Sequence, residues 1–148
     1  MRVSDKNEKL NVSPYHRTMQ KDFTRWHLLK NTIHGEKERP YIHERDIWFC
    51  SLGLNVGYEQ DGRGKNLLRP VVVVKKFNQE LCWSVPLTKT TKENHPYFLT
   101  FSFDGATKSS AILSQIRLID AKRMHYKIGM MPLRDFKEMK KRLLQFLA

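Results

Sequence analysis

Short runs of apolar residues, separated by polar turns, dominate the chain from Asp46 onward. Each run has the length and the β-branched or aromatic content of a strand, and Gly, Asn and Pro punctuate the gaps between them. The predicted strands are 46–52, 67–77, 81–88, 97–103 and 110–120, of which the last is the longest. Five or so short strands favour a small, curled antiparallel barrel.

An amphipathic helix is predicted on each side of these strands. Between about residues 21 and 34, apolar side chains recur at helical spacing, and Gly35 follows as a stop signal. Residues 132–148 repeat that spacing and begin with a proline. The predicted apolar faces are Phe23, Trp26, Leu29 and Ile33 in the first helix and Phe136, Met139, Leu143 and Leu147 in the second.

The predicted fold class is therefore mainly β (α+β), a small antiparallel SH3-like barrel with a C-terminal helix and an N-terminal helical extension. A length of 148 residues suits one compact domain. We assign residues 1–44 to the extension, which is polar and turn-rich over its first 20 or so positions, and residues 45–148 to the barrel. Trp26 needs a surface to cover, and the barrel of its own subunit is the default choice, ahead of a dimer partner or another bound protein.

The charge of the chain indicates a polyanionic or acidic partner. The formal net charge is +12 and the pI is about 9.9, which favours nucleic acid first and a membrane surface or an acidic protein next. No apolar run approaches the roughly 18 residues that a membrane span needs. The first ten residues lack the hydrophobic centre of a secretion signal. We therefore expect a cytoplasmic protein with no membrane association.

Cysteine and histidine spacing gives no sign of a bound cofactor. Cys50 and Cys82 both lie in apolar strand segments, so we expect two buried free thiols. The sequence contains no Cys/His cluster at zinc spacing, no Gly-rich phosphate loop and no His-Glu-x-x-His motif. We predict neither a metal nor an organic cofactor.

A cation stands at the entrance of the most apolar strand. Pro70 has no N–H and tolerates the first position of a strand, and it holds the preceding Arg69 in an extended conformation. A valine strand beneath a fixed guanidinium is a rigid base for binding an anion. The alternative is an arginine that reaches water or pairs with a carboxylate such as Glu59 or Asp61.

Five motifs occur in a characteristic order along the chain. They are Asp46 in the first strand, Gly57-Tyr58-Glu59-Gln60, Arg69-Pro70, Pro86-Leu87-Thr88 and Gln115-Ile116-Arg117-Leu118-Ile119-Asp120. Over roughly residues 45 to 147 this order resembles the MazF/PemK family of toxins from type II toxin–antitoxin systems. Two departures stand out: a long loop between Gln60 and Arg69, and 44 preceding residues without a counterpart in the minimal family pattern.

The resemblance implies a plasmid-toxin barrel that acts as a homodimer, is blocked by a cognate antitoxin and cuts single-stranded RNA without metal. The implied products are a 2′,3′-cyclic phosphate and a 5′-hydroxyl. By resemblance, Arg69 and Thr88 form the catalytic pair. Because guanidinium stays protonated, Arg69 is assigned to charge stabilisation, and the Thr88 hydroxyl to holding the same phosphate. Thr90 and Thr91 are the alternatives to Thr88.

Two polar loops, 57–65 and 89–97, are the predicted RNA-binding elements. Carboxylate and amide groups can read base edges, cations can follow phosphates, and Tyr58 or Tyr97 can stack on a base. The predicted RNA-binding residues are Glu59, Gln60, Arg63, Lys65, Lys89 and Gln115. A solvated charged face is the alternative for each lysine. Gln115 and Arg117 can face either the site or a dimer interface.

Three other functions stay open at this point. The first is a two-histidine ribonuclease that uses His95 or His125. The second is a gyrase-poisoning toxin on the same barrel, which we expect to act through its C-terminal residues. The third is a non-catalytic barrel whose basic loops bind nucleic acid.

Overall fold

The computed structural model describes residues 20–148, and the predicted polar segment 1–20 lies almost wholly outside them. Within this range the chain forms seven strands and two α-helices. They are α1 (Phe23–His34), β1 (Asp46–Ser51), β2 (Leu68–Lys76), β3 (Leu81–Thr88), β4 (Phe98–Phe101), β5 (Ser109–Ile112), β6 (Arg117–Asp120), β7 (Met124–Met130) and α2 (Leu133–Phe146). No helix among the described residues is long and apolar enough to cross a bilayer.

The strands form one antiparallel sheet in the order β4-β5-β3-β2-β1-β7, with β6 also paired to β3. The central strand β3 pairs with β6 over its first half and with β5 at its end, near Thr88. This curled antiparallel sheet with a helix at each end of the chain confirms the predicted fold class. The division of the chain at residue 44 stays a prediction.

The four consecutive valines of β2 are buried because the strand lies between two apolar clusters. Val72 and Val74 pack in one cluster, together with Phe136 and Met139 of α2. Val71 and Val73 point to the opposite face and join the second cluster. Since side chains alternate along a strand, a strand covered on both faces reads as a continuous apolar run.

The long strand predicted over 110–120 is wrong. The chain leaves β5 at Ile112, forms a 3-10 turn over Leu113–Gln115 and resumes as β6. Leu87 of β3 pairs with Ala111, and Ser84 pairs with Arg117. A step of three residues along β3 therefore corresponds to a step of six residues along the chain from β5 to β6. The turn absorbs the extra residues and rotates Gln115 out of the ladder.

Strand β7 was not predicted, because its side chains are mostly exposed and lack apolar alternation.

The helix predictions hold better. Helix α1 begins after Asp22, whose side chain accepts a hydrogen bond from the Arg25 N–H, and Gly35 caps its end as expected. Two residues of the predicted apolar faces are misplaced: Phe23 is 49% exposed, and Leu147, just beyond the end of α2, is 83% exposed.

The extension packs against the barrel of its own chain, as the default prediction for Trp26 required. The Trp26 indole is buried against Gly53, where an added Cβ would lie 2.0 Å from the ring. Farther along, Arg39 forms a two-pronged ion pair with Asp120, with both N–O distances at 2.8 Å. Cys50 and Cys82 are buried and free, also as predicted.

Candidate functional site

Arg69 is fixed by main-chain carbonyls rather than by a carboxylate. Its Nε donates to the Asp61 carbonyl at 2.5 Å, and its Nη1 donates to the Leu87 carbonyl at 3.1 Å. The Asp61 carboxylate instead pairs with Lys21 at 2.9 Å. Among the described residues Arg69 takes part in no ion pair, so it pairs with neither Glu59 nor Asp61.

The half-buried guanidinium of Arg69 keeps its charge available for a ligand. Burial lowers its pKa, the positive charge of Arg63 adds to this effect, and the negative charge of Asp61 opposes it. A guanidinium has five N–H donors and stays protonated at ordinary pH. The two carbonyl contacts therefore orient the group and leave further N–H donors for an anion.

Thr88 lies at the end of β3, directly after the carbonyl that holds Arg69. Its Oγ1 accepts a hydrogen bond from the Thr90 N–H at 3.2 Å, so Thr88 does cap a turn. That contact uses an acceptor lone pair, and a hydroxyl also carries a donor hydrogen. Thr88 is half-buried, whereas Thr90 and Thr91 are exposed on the loop that follows. Of the three threonines, Thr88 is the one next to the Arg69 anchor.

A groove of about 750 Å³ is lined by residues next to the two carbonyls that hold Arg69. Its walls include Glu59, Gln60 and Gln115, which were predicted from sequence as RNA-binding residues. The complete lining is Leu52, Asn55, Val56, Tyr58, Glu59, Gln60, Pro86, Ser114, Gln115, Ile116 and Arg117. The carbonyls that hold Arg69 belong to the residues that follow Gln60 and Pro86, so the cation lies at the edge of this groove.

Gln115 faces the groove and supports its wall. The side-chain Oε1 accepts from the Gln60 N–H at 2.7 Å, and the Nε2 donates to the Tyr58 carbonyl at 3.0 Å. The 3-10 turn that interrupts the predicted long strand is what aims Gln115 at this loop. Gln115 and Arg117 both line this groove, and the alternative that they face a dimer interface stays a prediction.

Two side chains of the loop close the loop on itself. Glu59 accepts from the Val56 N–H at 2.9 Å through Oε1. Asn55 donates from Nδ2 to the Leu52 carbonyl at 3.2 Å and to the Gln60 carbonyl at 2.8 Å. Asn55 was not predicted as a site residue; an Asn shortly before a Gly-rich loop is a turn signal, but a weak one.

The predicted basic residues lie outside the groove walls. Arg63 and Lys65 are exposed on the far part of the loop, where Arg63 forms an isolated bridge with Leu68. Lys89 is exposed directly after Thr88. As exposed cations the three can meet the backbone of a longer polyanion, and the charge of Arg63 acts on Arg69.

The two histidines considered for catalysis have separate partners. His125 Nε2 lies 2.6 Å from Ser51 Oγ, and burial lowers the pKa of this imidazole. His95 packs its ring against Tyr97 and Phe98. Within residues 20–148 no described interaction joins the two rings. In the same range, no three His, Cys, Asp or Glu side chains are grouped so that they could hold a metal ion.

Solved toxin structures share this fold. MazF from Deinococcus radiodurans superposes with a TM-score of 0.56 at 16% identity, over 75% of this chain and 98% of that one. An endoribonuclease in complex with its cognate antitoxin from a mycobacterial species gives 0.54 at 14% identity, over 72% and 95%. Mycobacterium tuberculosis toxin MazF-mt6 gives 0.53 at 12% identity, over 70% and 96%. These identities establish the fold alone.

The sequence model of one toxin family extends over residues 43–147. Its description is the PemK-like, MazF-like toxin of type II toxin–antitoxin systems. The chain belongs to this family, which confirms the resemblance drawn from the five motifs. A search of curated proteins gives no significant match.

Proposed function

We propose that this toxin is a metal-independent endoribonuclease that cuts single-stranded RNA at specific sequences and thereby inhibits translation and growth. The products are a 2′,3′-cyclic phosphate and a 5′-hydroxyl. The observation that carries the proposal is the half-buried Arg69 guanidinium, oriented by the carbonyls of Asp61 and Leu87 beside a groove. A fixed cation that forms no ion pair within residues 20–148 suits an anionic substrate.

Arg69 stabilises the reaction where negative charge builds up. The ribose 2′-OH loses its proton and attacks phosphorus, and the P–O5′ bond breaks as the leaving 5′ oxygen gains a proton. In the pentacoordinate species between these two events the non-bridging oxygens gain charge. The N–H donors of Arg69 that its two carbonyl contacts do not use bind those oxygens. The carbonyl contacts and the extended backbone before Pro70 limit the reorganisation of the guanidinium. The Thr88 hydroxyl donates to the same phosphate from the adjacent position on β3.

The groove supplies RNA recognition in this proposal. Glu59 and Gln60 offer groups that read base edges, and the exposed Tyr58 ring offers a face on which a splayed base can stack. The exposed Arg63, Lys65 and Lys89 meet phosphates upstream and downstream of the cut. Gln115 holds the loop that carries these groups.

We also propose a homodimer in the cytoplasm that is neutralised by an acidic cognate antitoxin. The solved mycobacterial endoribonuclease with this fold is held in a complex with its cognate antitoxin. A net charge of +12 attracts an acidic protein as well as RNA, so both ligands can compete for one basic surface.

The test is cleavage of a long mixed-sequence RNA by the full chain in excess chelator, followed by mapping of the fragment ends. Discrete cuts with cyclic phosphate ends that disappear in Arg69→Ala support the proposal. Arg134→Ala is the matched control, because Arg134 is exposed on α2, away from the groove. Intact RNA accompanied by stalled gyrase would indicate the gyrase-poisoning alternative. RNA that is shifted in a gel but uncut would indicate a non-catalytic binding barrel.

A further inference from the structure

The ammonium group of Lys21, just before α1, is saturated by one loop of the barrel. Its Nζ donates to the carbonyls of Asn55 at 2.5 Å and Gly57 at 3.1 Å and pairs with the Asp61 carboxylate at 2.9 Å. An ammonium has three donors, and these contacts use all of them. The Lys21 side chain is only 15% exposed, so it is unsuited to binding a substrate phosphate directly.

The partners of Lys21 belong to the loop that forms part of the groove wall and that leads to Arg69. Asn55 lines the groove, and Asp61 follows the groove residue Gln60. Asp61 is contacted from two sides: Lys21 pairs with its carboxylate, and the Arg69 Nε donates to its carbonyl. The other carboxylate oxygen of Asp61 accepts from the Asn55 N–H at 2.6 Å. A single loop residue therefore connects Lys21 to the guanidinium proposed for catalysis.

Two more side chains of the extension hold the ends of the same loop. The Trp26 ring packs on Gly53 where β1 leads into the loop, and Arg25 Nη2 donates to the Gly64 carbonyl on the way back to β2. The extension thus contacts the loop at its start, middle and end. The family model begins only at residue 43, so this brace comes from outside the part of the chain that the family shares.

We propose that Lys21 is a positioning residue for RNA cleavage: through the Asp61 carboxylate it holds the loop whose Asp61 carbonyl orients Arg69. This inference rests on the proposed ribonuclease function. It assigns the extension a role in catalysis, because a loosened loop lets the guanidinium move off the scissile phosphate. A displacement of about 1 Å at a reacting group can cost on the order of 10²-fold in rate.

The kinetic test compares Lys21→Met with Lys37→Met in the full chain. Lys37 is an exposed lysine of the same extension, so the control removes the same charge without a loop contact. For Lys21→Met we expect the single-turnover rate to fall on the order of 10- to 100-fold while KM changes less than about threefold. Equal rates for the two variants would overturn the proposal.

A second variant checks that the effect passes through Asp61. Asp61→Asn removes the ion pair but keeps the main-chain carbonyl that Arg69 uses. We expect it to lose about as much rate as Lys21→Met, and the double variant to lose little more, because both changes remove the Lys21–Asp61 ion pair. If the two rate losses multiplied in the double variant, Lys21 and Asp61 would act independently, and the proposed route through Asp61 would be contradicted. Urea unfolding of each variant confirms that the proteins compared are folded.

A spectroscopic readout separates this inference from the ribonuclease proposal. In ¹⁵N-labelled protein, the Arg69 Nε–Hε resonance, assigned with Arg69→Lys, reports the bond to the Asp61 carbonyl. We expect it to shift and exchange faster with solvent in Lys21→Met but not in Lys37→Met. An unchanged resonance would overturn the inference even in an active enzyme. A wild type that cuts no RNA would refute the ribonuclease proposal alone, with this resonance still deciding whether Lys21 positions Arg69.

Discussion

The guanidinium of Arg69 donates from Nη1 to the main-chain carbonyl of Leu87, 3.1 Å away. This bond joins the first residues of β2 to the last residues of β3 and brings Arg69 beside Thr88. A carbonyl orients a cation without cancelling its charge, whereas a carboxylate would neutralise it. The arginine is therefore held in place and still electrostatically open to a phosphate.

Replacing Thr88 separates its two hydrogen-bonding roles. Thr88→Val keeps the shape of the side chain but removes the donor, so we expect the single-turnover cleavage rate to fall on the order of 10²- to 10³-fold. Thr88→Ser retains the hydroxyl and should stay within about tenfold of wild type. Thr90→Val and Thr91→Val are the matched controls in the same assay. A normal rate for Thr88→Val with a slow Thr90→Val would transfer the assignment to Thr90.

The contact between Gly53 and Trp26 makes a prediction about stability. Gly53 has φ +81°, and an added Cβ would meet the Trp26 ring at 2.0 Å. Gly53→Ala should lose about 1–2 kcal/mol from the left-handed backbone and about 1–3 kcal/mol more from overpacking. Gly57 has φ +56° but open space, so Gly57→Ala should show the backbone cost alone. If urea unfolding gave equal losses of unfolding free energy for Gly53→Ala and Gly57→Ala, the packing of α1 on Gly53 would be contradicted.

The Arg39–Asp120 pair makes a prediction about pH. The hydrogen bonds from Arg39 lower the pKa of Asp120, with the Lys122 N–H adding to the effect, against a smaller opposing effect of burial. The stability that this shift contributes is present above the unfolded-state pKa, about 3.9, and is lost as pH falls through the lower folded value. Arg39→Gln should raise the Asp120 midpoint in a carboxyl NMR titration.

The same spectra contain an internal control for that titration. Asp104 also has a lowered pKa, caused mainly by backbone N–H groups of Thr107 and Ala106. Its midpoint should not move in Arg39→Gln, because Arg39 is not among its partners. If the Asp120 midpoint stayed in place while the variant remained folded, the anchoring of the extension by this ion pair would be refuted.

The two cysteines should be inert in the folded protein. Burial raises the pKa of Cys50 to about 12 and that of Cys82 to about 11. Because the thiolate is the reactive form, we expect neither to react with a disulfide reagent at pH 8 until denaturant is added, when both should react. Rapid reaction of native protein with one equivalent of the reagent would show that one of the two thiols is accessible.

Local patterns predicted β1 to β4 and the position of Arg69 at the start of β2 well. Each of these features depends only on neighbouring residues: the run of valines, the proline before it and the Gly35 helix cap. All three lie where expected. The break in 110–120 was not predictable from local pattern, because it depends on how Gln115 meets a loop 55 residues away in sequence. The contacts of Lys21 span 34 to 40 residues and carry no sequence signal at all.

The most direct test of the central claim measures cleavage and binding separately in Arg69→Ala. Single-turnover cleavage of a short RNA that contains the mapped site gives the chemical rate, and the same RNA with a 2′-deoxy sugar at the cut gives Kd without reaction. If Arg69 stabilises the charged phosphorane, the rate falls on the order of 10²- to 10³-fold while Kd rises less than about tenfold. A rate that stays near that of wild type, or that falls only as far as binding does, would contradict the account.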